Sequence, residues 1–180
     1  MKLNRTNIEK ELNDYLRSVN SIKLPAPHKD VLTFIDSLKR KALGSGPYPD
    51  VSLFEASNRI LSDIVVLFGV RRLLTNPSFG DVRLPFTEYE VALGVEGGND
   101  LRATAGSSFL VGEAFNVAPS FFQSKKSSMI KKLRSQEKAD YRLIIFNADA
   151  VKSPDYYIEK SEPSMLYLPV NIWVERYNLI

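Results

Sequence analysis

The chain has 180 residues, 44% of them hydrophobic and 25% charged, a balance that suits one folded domain with a substantial core and excludes a fibrous or largely disordered chain. It has no cysteine, which excludes disulfides and thiolate metal centres, and a single histidine, His28, which speaks against histidine-built metal centres and His-dependent triads, so any metal is expected to be held mainly by oxygen. A net charge of +3 gives little overall attraction for a polyanion, and with no signal-peptide core and no apolar run of the roughly 18–20 residues that span a bilayer, a cytoplasmic protein without a membrane partner is expected.

Ile8, Leu12, Tyr15, Leu16 and Val19 recur at helical spacing and predict a helix over 5–19, started by Thr6 or Asn7. Leu24-Pro25-Ala26-Pro27 breaks it. A second helix is expected over 29–43, with Val31, Leu32, Ile35, Leu38 and Ala42 on one side, ended by Gly44-Ser45-Gly46-Pro47. Residues 1–46 therefore read as an N-terminal helical extension that packs rather than reacts. Asp50 is expected to cap a longer, very apolar helix reaching Leu74, with Leu53, Ala56, Ile60, Ile64, Leu67 and Phe68 toward the core.

Past Asn76-Pro77-Ser78-Phe79-Gly80 the hydrophobic period shifts toward two. Strands over 88–95, 100–105 and 107–118, joined at Gly97-Gly98-Asn99 and at Gly106, form an antiparallel meander. Pro119 opens a helix reaching Glu137, and Tyr141-Arg142-Leu143-Ile144-Ile145-Phe146 is the nearly continuous apolar run of a central strand. Residues 148–180, with Pro154, Pro163 and Pro169, read as a loop-rich cover ending in a strand around 170–177. The expected class is α+β, an α/β sandwich in one domain, with its helix, three strands, helix and strand spanning 50–147.

Phe109, Val111, Glu113, Phe115 and Val117 share one face of the third strand, so Glu113 is a carboxylate in an apolar row. Such a group is costly unless it is paired, hydrogen-bonded or bound to a cation, and a lysine or arginine beside a strand end would account for it as well as a metal would. Asp100 opens the preceding strand, where a short hairpin brings it toward Glu113. Adjacent anions repel unless a cation separates them, and oxygen-only ligation suits Mg²⁺ or Mn²⁺. Gly97-Gly98-Asn99-Asp100 is equally good turn sequence.

In the following helix, counting about 100° per residue from Phe122, the residues Met129, Leu133 and Ile130 define a buried stripe. Lys126 falls inside it at about 40°, Lys125 lies at its border at about 300°, and Lys131 and Lys132 point away. A lysine in such a stripe either snorkels out along its stem or meets an anion. Lys125, Lys126, Lys131, Lys132, Arg134 and Lys138 together form a basic cluster that contacts phosphates if it faces a cleft and is otherwise a solvated helix face.

The Asn99-Asp100 pair heading one strand, Gly112-Glu113-Ala114-Phe115 in the next, and this order of elements resemble the core of the PD-(D/E)XK, or restriction-endonuclease-like, nucleases. The resemblance implies an αβββαβ core over 50–147 with a central mixed sheet flanked by helices, and a metal-dependent DNA endonuclease in which Asp100 and Glu113 bind Mg²⁺ or Mn²⁺. The chain departs from the motif in two places: Phe115 stands where the family has its lysine, and Asn99 replaces the proline. Some members move the lysine to the helix behind the motif, which implies Lys126, with Lys125 second. The family's additional helix carboxylate would be Glu55 or Asp63. Gln123, one turn before Lys126, is a further candidate for contact with phosphate or nucleophile, and Lys125, Lys131, Lys132 and Arg134 are candidates for holding nucleic acid.

Cleavage of both strands of a duplex would suit a homodimer. Two other readings stand beside the nuclease. A catalytically inactive nuclease-fold protein that binds nucleic acid or serves a structural role is favoured by Phe115. An interaction protein of unrelated α+β fold would use some of the eight tyrosines and ten phenylalanines, most of which fall at core-packing positions.

Overall fold

The computed structural model describes residues 1–26, 30–94, 97–162 and 164–177. The chain opens with β1 (Lys2–Asn4), α1 (Ile8–Asn20), α2 (Val31–Arg40) and α3 (Leu53–Thr75). Ser52, not Asp50, caps α3, its hydroxyl accepting the Glu55 N–H at 3.3 Å. A small hairpin of β2 (Ser78–Phe79) and β3 (Val82–Arg83) precedes the meander β4 (Glu88–Val91), β5 (Leu101–Ala105) and β6 (Ser108–Phe115). A 3₁₀ turn over Pro119–Phe121 leads into α4 (Phe122–Arg134), followed by β7 (Tyr141–Asn147), α5 (Pro154–Glu159), β8 (Leu166–Val170) and α6 (Ile172–Tyr177).

The fold is α+β, with six strands in the order β1-β4-β5-β6-β7-β8 forming a mixed sheet between helices. Pairing is antiparallel from β1 to β6 and parallel from β6 through β8. The expected helix, three strands, helix and strand are present as α3-β4-β5-β6-α4-β7. Among the described residues no helix is long and apolar enough to cross a membrane.

Three expectations need correction. Residues 2–4, too short to display a period, form an edge strand that buries Leu3 completely. The tail does not end in a strand over 170–177: its strand lies upstream in β8, and α6 follows. Pro169 is tolerated there because β8 is an edge strand. Finally, the apolar side of α2 is not packed away, since Val31, Leu32 and Ile35 remain exposed. Positions His28, Lys29, Val95 and Pro163 lie outside the described residues.

Alternation along β6 builds two cores. Leu110 and Ala114 join Leu101, Leu143, Ile145 and the buried side of α3 on one face of the sheet. Val111 and Phe115 join Phe122 and Leu133 of α4, with Ile144 and Phe146, on the other. Every residue of α3 from Asp63 to Val70 is buried, because this helix has the sheet on one side and α1, α2 and α6 on the others. A helix apolar all round has only such a location.

Close approach of α3 to the sheet depends on Gly69, where a Cβ would sit 2.8 Å from two carbons of the fully buried Ile145. Alanine is the better helix former by about 1 kcal/mol, yet overpacking of a filled core costs roughly 1–3 kcal/mol. Gly69→Ala is therefore expected to lower the denaturant midpoint with an unchanged slope, as measured by urea unfolding.

Candidate functional site

The β5–β6 ladder pairs Leu101 with Gly112, and one step further the same register sets Asp100 across from Glu113. Asp100 accepts the Ala114 N–H at 2.7 Å through Oδ2. Glu113 is only 3% exposed, and each of its oxygens has a protein donor. The Asn99 amide gives a hydrogen bond to Oε1 at 2.9 Å, and the Lys132 ammonium approaches Oε2 at 2.7 Å.

Backbone anchoring places these groups. Arg142 of β7 donates through Nε to the Leu133 carbonyl at 3.0 Å and through Nη2 to the Gln136 carbonyl at 2.8 Å, tying down the last turn of α4 beside Lys132. At the other end of α4, the buried Asn147 side chain accepts from the Val117 N–H at 2.9 Å and donates to the Val117 carbonyl at 3.0 Å. The segment linking β6 to α4 is thereby fixed to β7.

Asp100 and Glu113 open into a cavity of about 430 Å³ between α3 and α4. Asn58, Arg59, Ser62 and Asp63 line it from α3, and Lys125, Met129 and Lys132 from α4. Asp63 is buried and fully engaged: its Oδ2 accepts the Tyr15 hydroxyl at 2.6 Å and also the Tyr48 hydroxyl, while Oδ1 accepts the Gly94 N–H at 3.2 Å. Gly94 has φ +62° and lies against the Tyr48 ring, so both the conformation and the space exclude a side chain. The N-terminal region is thus more than a packing extension, because α1 and the loop after α2 supply the two phenols that hold a cavity-lining carboxylate.

Burial raises the pKa of Asp63, Asp100 and Glu113 above the ordinary carboxylate range. Lys132 and the Asn99 amide oppose the rise at Glu113, and the Asp100 charge adds to it. At Asp100 the Ala114 N–H, Lys132 and Lys125 oppose it. Burial, with the Asp63 charge beside them, pushes the Tyr15 and Tyr48 phenols upward. The donor set fits a hard divalent cation that takes two carboxylates and completes its shell with water and phosphate oxygens. Among the described residues no group of three or more His, Cys, Asp or Glu side chains is gathered for a metal.

The lysine on Glu113 is Lys132, not Lys126. Lys126 does lie on the inward side of α4, but over the rings of Phe122 and Tyr157, 5.5 and 5.1 Å from their centroids. Glu113 sits under the flank of α4, where Lys125, Met129 and Lys132 succeed one another at i, i+4 and i+7. On the same wheel Lys132 is at about 280°, next to Lys125 at about 300°, and a long flexible stem closes the remaining gap.

Glu55 is exposed and pairs with Arg59 at 2.6 Å, outside the cavity lining. Gln123 is exposed on a separate groove beside Tyr156 and Tyr157. Lys131 and Arg134 face solvent, so of the four basic residues expected to hold nucleic acid only Lys125 and Lys132 line the cavity. Asn99, Tyr15 and Tyr48 were not foreseen as site residues. The spacing of Lys125 and Lys132 was a usable signal, whereas Tyr15 was indistinguishable from an apolar member of its helix.

A carboxyl whose folded pKa is raised holds its proton more tightly in the folded state, so its contribution to stability is complete at low pH and lost as pH rises from the unfolded value through the folded one. For Asp100 that loss begins near its ordinary value of 3.8. Thermal melts in chelator, taken at successive pH values, are expected to show wild type losing stability relative to Asp100→Asn as pH rises through this window, and Mg²⁺ or Mn²⁺ reversing the loss. A difference between the two proteins that does not change with pH would contradict the assignment.

The chain matches no family model, no curated protein and no solved structure, so the chemistry of the cavity rests on its own residues.

Proposed function

We propose that the protein is a restriction-endonuclease-like, metal-dependent DNA endonuclease whose reacting centre is the Asp100–Glu113–Lys132 cluster. The observation that carries this reading is the Lys132 ammonium 2.7 Å from the Glu113 carboxylate, opposite Asp100, inside a cavity. It supplies from α4 the cation that the motif lacks at Phe115. A bound Mg²⁺ or Mn²⁺ would supply Lewis-acid polarisation of the phosphodiester and a more acidic water.

The chain's own groups have separate tasks. Asp100 and Glu113 are the ligands for the cation, and Asn99 fixes the rotation of the Glu113 carboxylate. Lys132 carries a positive charge to the edge of that carboxylate, where it is placed to orient the attacking water and to offset negative charge developing on the phosphate. Lys125, exposed at the rim, faces an incoming phosphate before the reaction.

A second reading, an inactive relative that binds nucleic acid or serves a structural role, is favoured by the absence of a three-ligand cluster among the described residues. Incubation of DNA with the purified protein separates the two. Cleavage is expected with Mg²⁺ or Mn²⁺ and not with EDTA, reduced roughly 10²–10³-fold in each of Asp100→Asn, Glu113→Gln and Lys132→Met. Lys126→Met is expected to cut at the wild-type rate. Absence of cleavage together with absence of Mn²⁺ uptake by calorimetry would leave the inactive relative.

A further inference from the structure

Two large apolar side chains stand exposed near the starts of the two helices that line the cavity, Phe121 at 65% and Phe54 at 58% exposure. Neither belongs to either core. Each lies one helical turn outside a lining residue: Phe121 four positions before Lys125, and Phe54 four positions before Asn58. Residues so spaced share a helix face with their Cβ atoms about 5–6 Å apart. The register that buries Phe122 among Phe115, Phe146 and Tyr157 also turns Phe121 outward.

On α4 the line is continuous. Counted from Phe122, Lys125 lies at about 300° and Lys132 at about 280°, so one stripe carries an exposed ammonium and the ammonium on Glu113, and Phe121, the last residue of the 3₁₀ turn, caps the helix one turn before Lys125. On α3 the corresponding stripe is Phe54, Asn58 and Ser62. Lys39 holds its ammonium 5.4 Å from the centre of the Phe54 ring, adding a cation beside the phenyl on that wall.

Isolated exposed apolar residues are ordinary on protein surfaces. Here, however, each phenyl has an ammonium beside it or one turn away, Lys39 over Phe54 and Lys125 four residues after Phe121, and each precedes a residue that lines the cavity holding a pair of carboxylates. That alternation of aromatic face and positive charge is what a single-stranded nucleic acid requires, because its bases have free π faces and its backbone is anionic. In a duplex the base faces are already covered by their neighbours, and an exposed phenyl would gain nothing from them.

We infer that the cleft takes a single-stranded segment of DNA, with unstacked bases lying on Phe121 and Phe54 while a phosphodiester between them reaches Asp100 and Glu113. The inference deepens the nuclease reading and rests on it. Lys125 and Lys39 meet the flanking phosphates, so affinity falls with added salt.

Fluorescence anisotropy with the full chain in Ca²⁺, using a labelled oligothymidylate and a hairpin duplex with the same number of nucleotides, tests this. The single strand is expected to bind at least about tenfold more tightly than the duplex. Phe121→Ala and Phe54→Ala should each weaken single-strand binding by roughly 5- to 150-fold, the range for loss of one stacked base, with duplex binding and melting temperature unchanged. Phe121→Trp, which keeps an aromatic face, should retain binding. Equal or tighter binding of the duplex, or phenylalanine variants that bind like wild type, overturns the inference, and metal-dependent cutting of duplex DNA beside that result leaves the nuclease reading standing. Failure to bind either probe, with no cleavage in Mg²⁺ or Mn²⁺, overturns both.

Discussion

A glutamate with 3% exposure, set in the apolar row of a central strand, is the constraint around which the rest of the molecule is arranged. Desolvating a carboxylate costs several kcal/mol unless charge and hydrogen bonds replace the lost water. Glu113 obtains both, from Lys132 on one oxygen and Asn99 on the other, and each donor depends on a different part of the fold. Asn99 is delivered by the glycine-rich segment that enters β5. Lys132 is delivered by the crossover helix, whose two ends are tied to β7 through Asn147 and Arg142. Apolar residues of similar volume would serve stability as well as such a pair does. The charged pair therefore makes physical sense as a means of keeping a carboxylate ionisable at a place where chemistry needs one, which is how the proposed function uses it.

The second dependence is on α3. Because this helix is enclosed by the sheet and three other helices, the polar group in its middle must be satisfied from within. Asp63 achieves this by recruiting Tyr15, Tyr48 and the Gly94 N–H. The arrangement joins the first fifty residues to the segment leading into β5, the same segment that carries Asn99 and Asp100. With its donors already in place, Asp63 acts as a strut for that segment. The Asp100 charge is felt at Asp63, where it adds to the upward push of burial.

Much of the fold was legible because its signals are periodic. The change of period after α3, the glycines between strands and the apolar run of β7 defined the central elements to within a few residues. β1 and the tail were not legible for a shared reason: three residues and six residues are too few to establish a period, and each segment takes its structure from the sheet edge or helix it meets. The register of Asp100 opposite Glu113 followed from the hairpin alone. The lysine did not, since a helical wheel gives the direction of a Cβ and not the reach of the side chain, nor which flank of the helix lies over a particular strand residue. The tyrosines on Asp63 were hidden because a phenol pairs its hydroxyl while its ring follows the apolar pattern.

The phenylalanine at position 115 has a packing role. On the α4 face of β6, Phe115 lies 5.9 Å from the Phe122 ring and 6.2 Å from the Phe146 ring, measured between centroids, and is 2% exposed. An ammonium there would be enclosed by aromatic rings with its donors unmet. Position 115 therefore anchors the second core, and that core in turn seats α4 closely enough for a lysine from its flank to reach Glu113. Half of the Lys132 pair remains open to solvent, with 38% exposure of the lysine side chain against a glutamate that has almost none. A strand lysine would have been fixed from below, whereas a helix lysine approaches from the cavity rim and keeps rotamer freedom. Aromatic packing at position 115 thus leaves the Glu113 carboxylate to be met from the helix, by a lysine whose side chain stays partly in water, and this is the arrangement on which the proposed function draws.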